Sequence, residues 1–399
     1  MHDVMPSMSR EVNHLKRSVL RDLLALAVDP TIISLAGGLP ASEFLPLDEF
    51  RSCLETVLRR DGAEALQYST QHAPLQEWIA GYMGRRGVRV GPEQVFITNG
   101  AQQGLAILSR LLLDPGEQAV IEQVTFPGIQ QVTAGRGAQV RQIPTHLESG
   151  ADLEALEAAF RQEPRPRLAI LVPDFHNPLG VSLSAEKRAL AAGLAARYGV
   201  PLIEDDPYSE LAFSGQPLPP IKAYDEAEMV FYVGSFSKIL APAVRLGWII
   251  GPASMTPQIT VIRESLDLES STLLQRAVAE FFARDAFGRH LQPLRDANRE
   301  RCETLLAALE EHFSGLAQWS RPSGGLFVWA RFPQELDTFA LFPRAVERRV
   351  AYIPGLAFTL DGSQRNAIRL NFSNLRPQAI REGIQRLSEV IGEHALSGA

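Results

Sequence analysis

The sequence from residue 94 to residue 250 alternates short apolar runs with longer amphipathic segments, and this alternation limits the folds open to the chain. The apolar runs predict seven buried strands, at residues 94–98, 119–124, 140–144, 168–172, 201–204, 229–233 and 246–250. The segments between them predict helices at residues 99–113, 153–161 and 185–198. Strands that alternate with helices pack as a mostly parallel, doubly wound sheet, so we expect an α/β fold.

The pattern on either side of this region is different. Helices are predicted at residues 18–27, 46–61, 75–86, 273–313, 338–347 and 377–391. Short strands are predicted at residues 325–330, 350–354 and 367–372, and this irregular order is typical of a smaller α+β domain. A chain of 399 residues is too long for one simple core. We expect residues 46–285 to form the large domain, residues 286–399 the small C-terminal domain, and residues 1–45 an N-terminal segment and helix that pack with the small domain.

The bulk composition disfavours several classes of protein. The formal net charge of −7 argues against nucleic acid as a partner, because phosphate backbones favour basic surfaces. No apolar run is long enough to span a bilayer, and no secretory signal is visible. Cys53 and Cys302 lie far apart and suggest neither a disulfide framework nor a metal site. We expect a soluble protein of the reducing cytoplasm, and the net charge does not exclude anionic substrates.

The stretch from residue 234 to residue 248, GSFSKILAPAVRLGW, directly follows one of the predicted strands. In an open α/β sheet, ligands bind beyond the carboxyl ends of the strands. Ser235, Ser237 and Arg245 are suited to a phosphate group, and Lys238 between them is suited to forming a Schiff base. The chain has four lysines, Lys16, Lys187, Lys222 and Lys238. The other three are expected near the N-terminus, at a solvated helix start and in a loop.

Two further turns present polar groups after predicted strands. Gly100 opens a helix whose free amides and positive dipole end would accept an anion, although most turns of this kind bind nothing. Asn177 precedes Pro178, whose ring holds Asn177 out of the helical region and gives its amide a fixed direction. A plain Asn-Pro turn is the alternative. His176 has no other histidine or cysteine at metal-ligand or triad spacing, and is interpreted as a bystander.

Two charged residues are expected in apolar strands. Asp205 follows an apolar run, and a buried carboxylate is costly unless it meets a cation or hydrogen-bond donors. A protonated pyridine nitrogen would be a suitable partner, and capping of the following turn is the alternative. Glu204 and Asp206 are competing candidates, but alternation along the strand turns them in other directions. Arg369 is suited to binding an α-carboxylate with its guanidinium fork.

In their order and spacing, these residues resemble the fold-type I pyridoxal-phosphate-dependent aminotransferases of class I/II. The motifs are NPLG at 177–180, DDPY at 205–208, SFSK at 235–238 with an arginine at 245, and RLNF at 369–372. The likeness covers residues 18–372, and is greatest to the branch that contains 2-aminoadipate aminotransferase and broad-specificity aminotransferases. It implies that the large domain binds pyridoxal 5′-phosphate (PLP) in the PLP-dependent transferase fold type I.

The resemblance also implies roles for individual residues. Lys238 would hold PLP covalently and shuttle a proton, and Asp205 would pair with the pyridine N–H. Asn177 and Tyr208 would bond the phenolic oxygen, and Phe126 would stack on the ring. The phosphate would be held by Gly100, Ala101, Gln102, Ser235, Ser237 and Arg245. The substrate carboxylate would be bound by Gly38, Asn177 and Arg369.

Two implied contacts lie further from the cofactor ring. Tyr68 would reach the phosphate from a second subunit, which implies a homodimer with shared active sites. Arg21 would meet the distal carboxylate of an acidic substrate. The sequence departs from its relatives at Ala101, where a serine is usual, and at Phe126, where a tyrosine or tryptophan is common. The loop at 69–74 is also shorter than in relatives.

The implied activity is transfer of an amino group from an L-amino acid to a 2-oxo acid such as 2-oxoglutarate or pyruvate, by a ping-pong mechanism. Aminoadipate, glutamate, branched-chain and aromatic amino acids are the implied donors. A PLP-dependent C–S β-lyase is the alternative, since it shares the lysine, the aspartate and the carboxylate arginine. A remote alternative is the effector-binding module of a transcription regulator, which carries a winged-helix domain ahead of this fold.

Overall fold

The structure is a computed structural model and describes residues 29–397 together with residues 9, 12, 14, 15 and 23. The predicted helix at 18–27 therefore lies outside the described residues, apart from Leu23, which is buried. Arg21 lies outside them too.

The described residues form eleven α-helices and fifteen strands. The helices are α1 (Leu47–Asp61), α2 (Ala73–Arg85), α3 (Ala101–Leu112), α4 (Pro127–Val132), α5 (Leu153–Phe160), α6 (Ala185–Tyr198), α7 (Thr256–Glu264), α8 (Thr272–Ala283), α9 (Phe287–Phe313), α10 (Thr338–Glu347) and α11 (Pro377–Ser397). The strands are β1 (Ile33–Ser34), β2 (Val95–Thr98), β3 (Gln118–Glu122), β4 (Gln139–Ile143), β5 (Thr145–His146), β6 (Gly150–Ala151), β7 (Leu168–Leu171), β8 (Leu202–Asp206), β9 (Val230–Ser235), β10 (Gly247–Ile250), β11 (Gln318–Trp319), β12 (Phe327–Arg331), β13 (Val350–Ala351), β14 (Ile353–Pro354) and β15 (Ala367–Asn371).

The large sheet has seven strands, as the alternation of apolar runs predicts, in the order β2-β10-β9-β8-β7-β3-β4. Neighbouring strands from β9 to β4 pair in parallel, and β10 alone runs antiparallel to both of its neighbours. Strand β2 consequently points in the same direction as β9. The carboxyl ends of six strands and the amino end of β10 therefore meet at one edge of the sheet.

Local signals fix where several helices begin and end. The side chain of Asp152 accepts a hydrogen bond from the backbone N–H of Ala155 and caps α5, and Ser184 caps α6 in the same way. Gly199 ends α6 in the left-handed conformation. Strands β2, β7, β8, β9 and β10 are buried along their whole length, because helices cover both faces of the sheet.

Some predicted strand bounds are wrong at the edge of the sheet where the carboxyl ends of six strands meet. Strand β8 continues to Asp206 and β9 to Ser235, so Asp205 and Ser235 belong to the strands themselves. Strand β3 ends earlier than predicted, at Glu122. The polar residues of β8 keep their ladder bonds to β9, and Asp206 still pairs with Gly234. Apolar character alone therefore underestimates the length of these strands.

A second sheet has four antiparallel strands in the order β11-β12-β15-β14, and β1 pairs separately with β13. The predicted strand at 350–354 is therefore divided between two sheets. The predicted helix at 273–313 is likewise two helices, α8 and α9, because Asp285 adopts a positive φ of 52° between them. Helix α7 was not predicted.

Helix α9 connects two hydrophobic clusters. Leu291 and Leu294 pack with residues of the large sheet, whereas Cys302 and Leu305 pack with the four-stranded sheet. The buried N-terminal residues, such as Leu35, pack with the second cluster. None of the helices in the described chain combines the length and apolar character needed to cross a membrane.

Candidate active site

Several of the residues singled out in the sequence lie at the edge of the large sheet where the carboxyl ends of six strands meet. Asp205 stands near the end of β8, and Ser235 ends β9 beside it. Gly247 at the start of β10 is level with Ser235 on one side and with Thr98 on the other. This register brings the start of α3, the turn after β9 and the turn before β10 to one place. The four-stranded sheet contributes Arg369 from β15.

Lys238 lies three residues beyond the end of β9 and is partly buried. Its Nζ donates a hydrogen bond to the carbonyl oxygen of Gly38 at 2.7 Å. Burial, together with the positive charges of Arg369 and Arg245, lowers the pKa of the amine to about 8. A substantial fraction of the amine is therefore neutral near physiological pH, and a neutral amine is the nucleophilic form.

The lowered pKa of Lys238 gives a testable pH dependence. In the cofactor-free protein we expect modification of this lysine by an amine-directed reagent to rise with pH about a midpoint of about 8, instead of its ordinary value of 10.5. The extent of modification rises with pH because only the deprotonated amine reacts. Peptide mass spectrometry across a pH series would measure the modification at each lysine. A midpoint near 10 at Lys238 would contradict the assigned environment.

Asp205 is a buried carboxylate that has no counter-charge among the described residues. It is only 5% exposed, and its Oδ1 has no hydrogen-bond partner among the described residues. Burial, together with the negative charges of Asp206 and Glu122, raises its pKa to about 7. The surroundings of Asp205 therefore favour a group that brings positive charge and a hydrogen-bond donor to its carboxylate.

The neighbouring carboxylates are already occupied, as the strand alternation predicts. Asp206 accepts hydrogen bonds from Arg86 and from the Tyr232 hydroxyl, both at 2.9 Å. Glu204 accepts from the backbone N–H groups of Ile221 and of the residue after it, at 2.7 and 2.9 Å. Asp205 is therefore the member of this acidic run that has an oxygen with no partner in the described part of the chain.

Asn177, Tyr208 and Arg369 form a continuous hydrogen-bonded row. The Asn177 Nδ2 donates to the Tyr208 hydroxyl at 3.3 Å, and its Oδ1 accepts from the Arg369 guanidinium at 3.0 Å. All three side chains are buried. Burial raises the pKa of the Tyr208 hydroxyl, and the charge of Asp205 raises it further. This row connects the edge of the large sheet to the four-stranded sheet.

Arg369 is held by backbone carbonyls and by aromatic rings. Its Nη2 donates to the carbonyl oxygens of Ala36 and Gly37, at 2.6 and 2.8 Å. Its guanidinium carbon lies 4.4 Å from the ring centroid of Phe327 and 5.0 Å from that of Phe358. Burial lowers the pKa of Arg369 to about 10, yet the group stays charged at neutral pH. It remains a cation suited to a carboxylate.

The start of α3 has the geometry of an anion site. The first intrahelical bonds run from the N–H groups of Gln103 and Gly104 to the carbonyl oxygen of Gly100. The amides of Ala101 and Gln102 precede them and point beyond the helix end. Arg245 reaches the same turn, where its Nη2 donates to the Asn99 carbonyl oxygen at 3.1 Å.

Ser235 ends β9 beside this turn, and Ser237 follows two residues later. The Ser235 Oγ accepts a hydrogen bond from the backbone N–H of Ser237 at 3.1 Å. That bond leaves the Ser235 hydroxyl hydrogen available as a donor. Arg245 adopts a left-handed backbone conformation with φ 49°, a strained geometry of the kind that concentrates at ligand sites.

Gly100 is required at its position, and its replacement gives a second prediction. Its φ is +83°, and an added Cβ would lie 2.9 Å from the Arg245 Nη2. We expect Gly100→Ala to lower the free energy of unfolding by about 1–3 kcal/mol, because the strain is paid in the folded state, and to weaken PLP binding. Gly193→Ala in α6 is the matched control, since an added Cβ there meets nothing within 4 Å. The control should be stabilised by about 0.5–1 kcal/mol. Urea unfolding compares the two variants, and equal stabilities would contradict the assignment.

The remaining predicted residues are placed less centrally. Phe126 is half-buried directly before α4, and the Gln102 amide donates to the Gly128 carbonyl oxygen in the same helix, at 3.1 Å. Tyr68 is 79% exposed in the single chain. His176 is buried, with its Nε2 3.2 Å from the carboxylate of Glu122. His176 is therefore a buried residue of the same loop that carries Asn177.

Two lysines are less exposed than predicted. The Lys187 amine donates to the carbonyl oxygens of Ser149 and Ala151, both at 2.9 Å, and so anchors a hairpin. The predicted solvated position was therefore wrong. Lys222 is buried in a short 3₁₀ turn and pairs with Asp225 at 2.8 Å. Both amines are engaged elsewhere in the fold, in contrast to Lys238.

These features fit PLP. The orphaned carboxylate of Asp205 would take a protonated ring nitrogen, and the amides at the start of α3 with Arg245 would take a phosphate. Lys238 offers an amine with a lowered pKa, three residues beyond the end of β9. The profile of the family described as aminotransferase class I and II matches residues 39–387. The chain belongs to this aminotransferase family.

Individual relatives agree with this aminotransferase assignment over almost the whole chain. Aromatic-amino-acid aminotransferase 1 of Thermococcus litoralis is 35% identical over 95% of this chain and 92% of its own length. The 2-aminoadipate transaminase of Thermus thermophilus is 35% identical over 94% of each. The crystal structure of kynurenine aminotransferase from Pyrococcus horikoshii superimposes with a TM-score of 0.92 at 34% identity, over 97% of both chains.

This aminotransferase therefore has the fold of the type I PLP enzymes, with a mostly parallel seven-stranded sheet. It is a PLP-dependent amino acid aminotransferase, and the family expected from its motifs is confirmed.

Several residues of the site could not be found by reading motifs. The aromatic pair Phe327 and Phe358 around Arg369 carries no sequence signal beyond apolar character. The doublet at 205–206 does indicate that Asp206 needs a cation of its own, because successive strand residues face opposite sides. It does not indicate which arginine supplies it, and Arg86 comes from the distant end of α2.

Proposed function

We propose that this aminotransferase moves the amino group of an L-amino acid to a 2-oxo acid, such as 2-oxoglutarate or pyruvate, in a ping-pong cycle. One observation carries most of this proposal. The Lys238 amine and the Arg369 guanidinium both bond to one short backbone segment, Lys238 at Gly38 and Arg369 at the two preceding carbonyls. An α-amino acid carries its amine and its carboxylate on one carbon, so the amine that takes the Cα proton and the cation that binds the carboxylate must lie close together.

The roles of the chain's own residues follow from their environments. PLP, when bound, supplies the aldehyde that takes the amino group and a ring that stabilises negative charge at the substrate Cα. Asp205 keeps the ring nitrogen protonated, because its orphaned carboxylate is stabilised by that proton. Lys238 takes the proton from the substrate Cα on its Nζ, and its lowered pKa makes the neutral base available near pH 8. Arg369, oriented by Asn177, binds the substrate carboxylate.

The other contacts are proposed from the family resemblance. Tyr208 and Asn177 bond the phenolic oxygen, and Phe126 covers the ring. Gly38 lies beside the substrate carboxylate, and an added Cβ there would approach Phe327 to 3.2 Å, so the backbone already packs closely. The phosphate is assigned to Gly100, Ala101, Gln102, Ser235, Ser237 and Arg245.

The donor range is proposed to include aminoadipate, glutamate, and branched-chain and aromatic amino acids. The names of two relatives, an aromatic-amino-acid aminotransferase and a 2-aminoadipate transaminase, support both kinds of donor. In this proposal Arg21 meets the distal carboxylate of acidic donors.

We also propose that the enzyme is a homodimer in which Tyr68 reaches the phosphate of the partner's site. Leu66 and Tyr68 are 71% and 79% exposed in the single chain, and two large exposed side chains so close in sequence favour a surface that a second subunit covers.

The expected division into 1–45, 46–285 and 286–399 stays a proposal, supported by the two hydrophobic clusters that meet along α9. A cytoplasmic location is proposed from the two free, buried cysteines.

The half-reaction tests this function. Holoenzyme mixed with a donor amino acid and no acceptor should change its cofactor spectrum once, releasing one 2-oxo acid per active site. Addition of 2-oxoglutarate should return the original spectrum. A diode-array spectrophotometer with product analysis measures both steps, across the twenty amino acids and aminoadipate.

Other outcomes would favour the rival functions. Continuous release of pyruvate and ammonia from a cysteine conjugate, with no need for an acceptor, would indicate a C–S β-lyase. Binding of amino acids with no product from any of them would indicate an effector-binding module. Lys238→Ala serves as the blank in each case, because it lacks the residue proposed to carry the proton.

A further inference from the structure

Asp267 lies in the segment between α7 and α8 and contacts the turn that is assigned to the cofactor phosphate. Its Oδ2 accepts hydrogen bonds from the Asn99 amide at 2.5 Å and from the Gln103 amide at 2.6 Å. These two residues flank Gly100 and the free amides that begin α3. One carboxylate oxygen therefore ties both sides of the phosphate turn together.

The same carboxylate is anchored from behind. Its Oδ1 accepts from the Nε of Arg263, a side chain that is only 3% exposed. Arg263 also donates to the Ile97 carbonyl oxygen at 3.2 Å and to the Ser270 hydroxyl at 3.0 Å. Asp267 is thus held by a buried cation that caps the edge strand β2, directly before the phosphate turn.

The link continues toward the phosphate ligands. The Gln103 Oε1 accepts from the Asn99 backbone N–H at 2.7 Å, and the Asn99 carbonyl oxygen accepts from Arg245. Rotation of the Asn99 peptide would therefore disturb Gly100 and Arg245 together. Electrostatics alone would place no carboxylate here, since a negative charge near a phosphate opposes its binding. Its presence is explained by the hydrogen bonds that it accepts from Asn99 and Gln103.

We propose that Asp267 is a positioning residue for the cofactor phosphate, which it serves by fixing Asn99 and Gln103 so that the Ala101 and Gln102 amides and Arg245 converge. This inference rests on the proposed phosphate site. It makes a prediction opposite in sign to simple charge repulsion: loss of the carboxylate weakens PLP binding. The effect acts through the phosphate, so pyridoxal, which lacks that group, is bound as before.

The test measures dissociation constants of PLP and pyridoxal for cofactor-free protein, with the fold checked by urea unfolding. We expect Asp267→Ala to weaken PLP binding at least tenfold and pyridoxal binding less than twofold, and Asp267→Asn, which keeps an acceptor oxygen, to lie between this variant and the wild type. Should the alanine variant fail to fold, the asparagine variant decides by the same comparison: its loss of affinity should be larger for PLP than for pyridoxal. Glu264→Gln removes a nearby charge at the end of α7 and should leave PLP binding unchanged or slightly tighter.

Two results would overturn the proposal: PLP affinity that is unchanged or tighter in the Asp267 variants, or an equal loss for PLP and pyridoxal. Arg245→Gln separates this failure from failure of the phosphate site itself. If Arg245→Gln weakens PLP selectively and the Asp267 variants do not, the positioning role alone is wrong. If Arg245→Gln also fails to distinguish PLP from pyridoxal, the phosphate site and the inference fall together.

Discussion

Lys238→Ala is expected to abolish amino transfer, with kcat lowered by roughly 10⁴-fold, the upper end of what a positioned acid–base group contributes. The variant should fold, because the Nζ of Lys238 makes its hydrogen bond to one backbone carbonyl, that of Gly38. It should also lose the visible absorbance of covalently held PLP. Steady-state kinetics and an absorbance spectrum of the reconstituted variant measure both effects.

Lys187→Ala is the matched control for this prediction. Lys187 is also a partly buried lysine with a lowered pKa, caused by burial, but it anchors the hairpin at Ser149 and Ala151. Its loss should change stability and leave the cofactor spectrum intact. Full turnover by the Lys238 variant, or loss of absorbance in the Lys187 variant alone, would contradict the assigned roles.

Asp205→Asn is expected to lower turnover by about 10²–10⁴-fold, since breaking a buried ion pair costs about 3–5 kcal/mol and each 1.36 kcal/mol is tenfold. Asparagine fills the same space but carries no charge to hold a proton on the ring nitrogen. The rate with a saturating donor, measured with PLP in excess, isolates this effect from weaker cofactor binding.

The same variant should behave differently without cofactor. The folded pKa of Asp205 is raised to about 7, above its ordinary value, so its contribution to stability is full at low pH and is lost as the pH rises through 7. Cofactor-free Asp205→Asn should therefore be more stable than the wild type at pH 8. Asp152→Asn, at the N-cap of α5, is the control and should retain turnover, because asparagine caps as well as aspartate. Wild-type turnover by Asp205→Asn would contradict the pairing of Asp205 with the ring nitrogen.

The central sheet could be predicted because its strands are buried on both faces and read as continuous apolar runs. The same reasoning failed where polar residues remain in the ladder, as Asp206 does at the end of β8 and Ser235 at the end of β9. It also missed the break between α8 and α9, since Asp285 takes a positive φ without a glycine or proline to signal it.

The residues of the proposed site could be predicted more readily than the hydrogen bonds that hold them in place. Strand ends of a parallel sheet meet at one edge, so Asp205, Ser235 and the start of α3 were expected to converge. The contacts that hold them come from distant segments, as with Arg86 on Asp206 and Asp267 on Asn99. No local pattern encodes such pairings, because they depend on how helices pack around the sheet.

The most direct test of the account is the identity of the lysine that carries PLP. The holoenzyme is reduced with borohydride, digested, and mapped by mass spectrometry for the phosphopyridoxyl group. The account predicts one labelled peptide, with the label on Lys238. A label on Lys16, Lys187 or Lys222, or no label on any lysine, would contradict it.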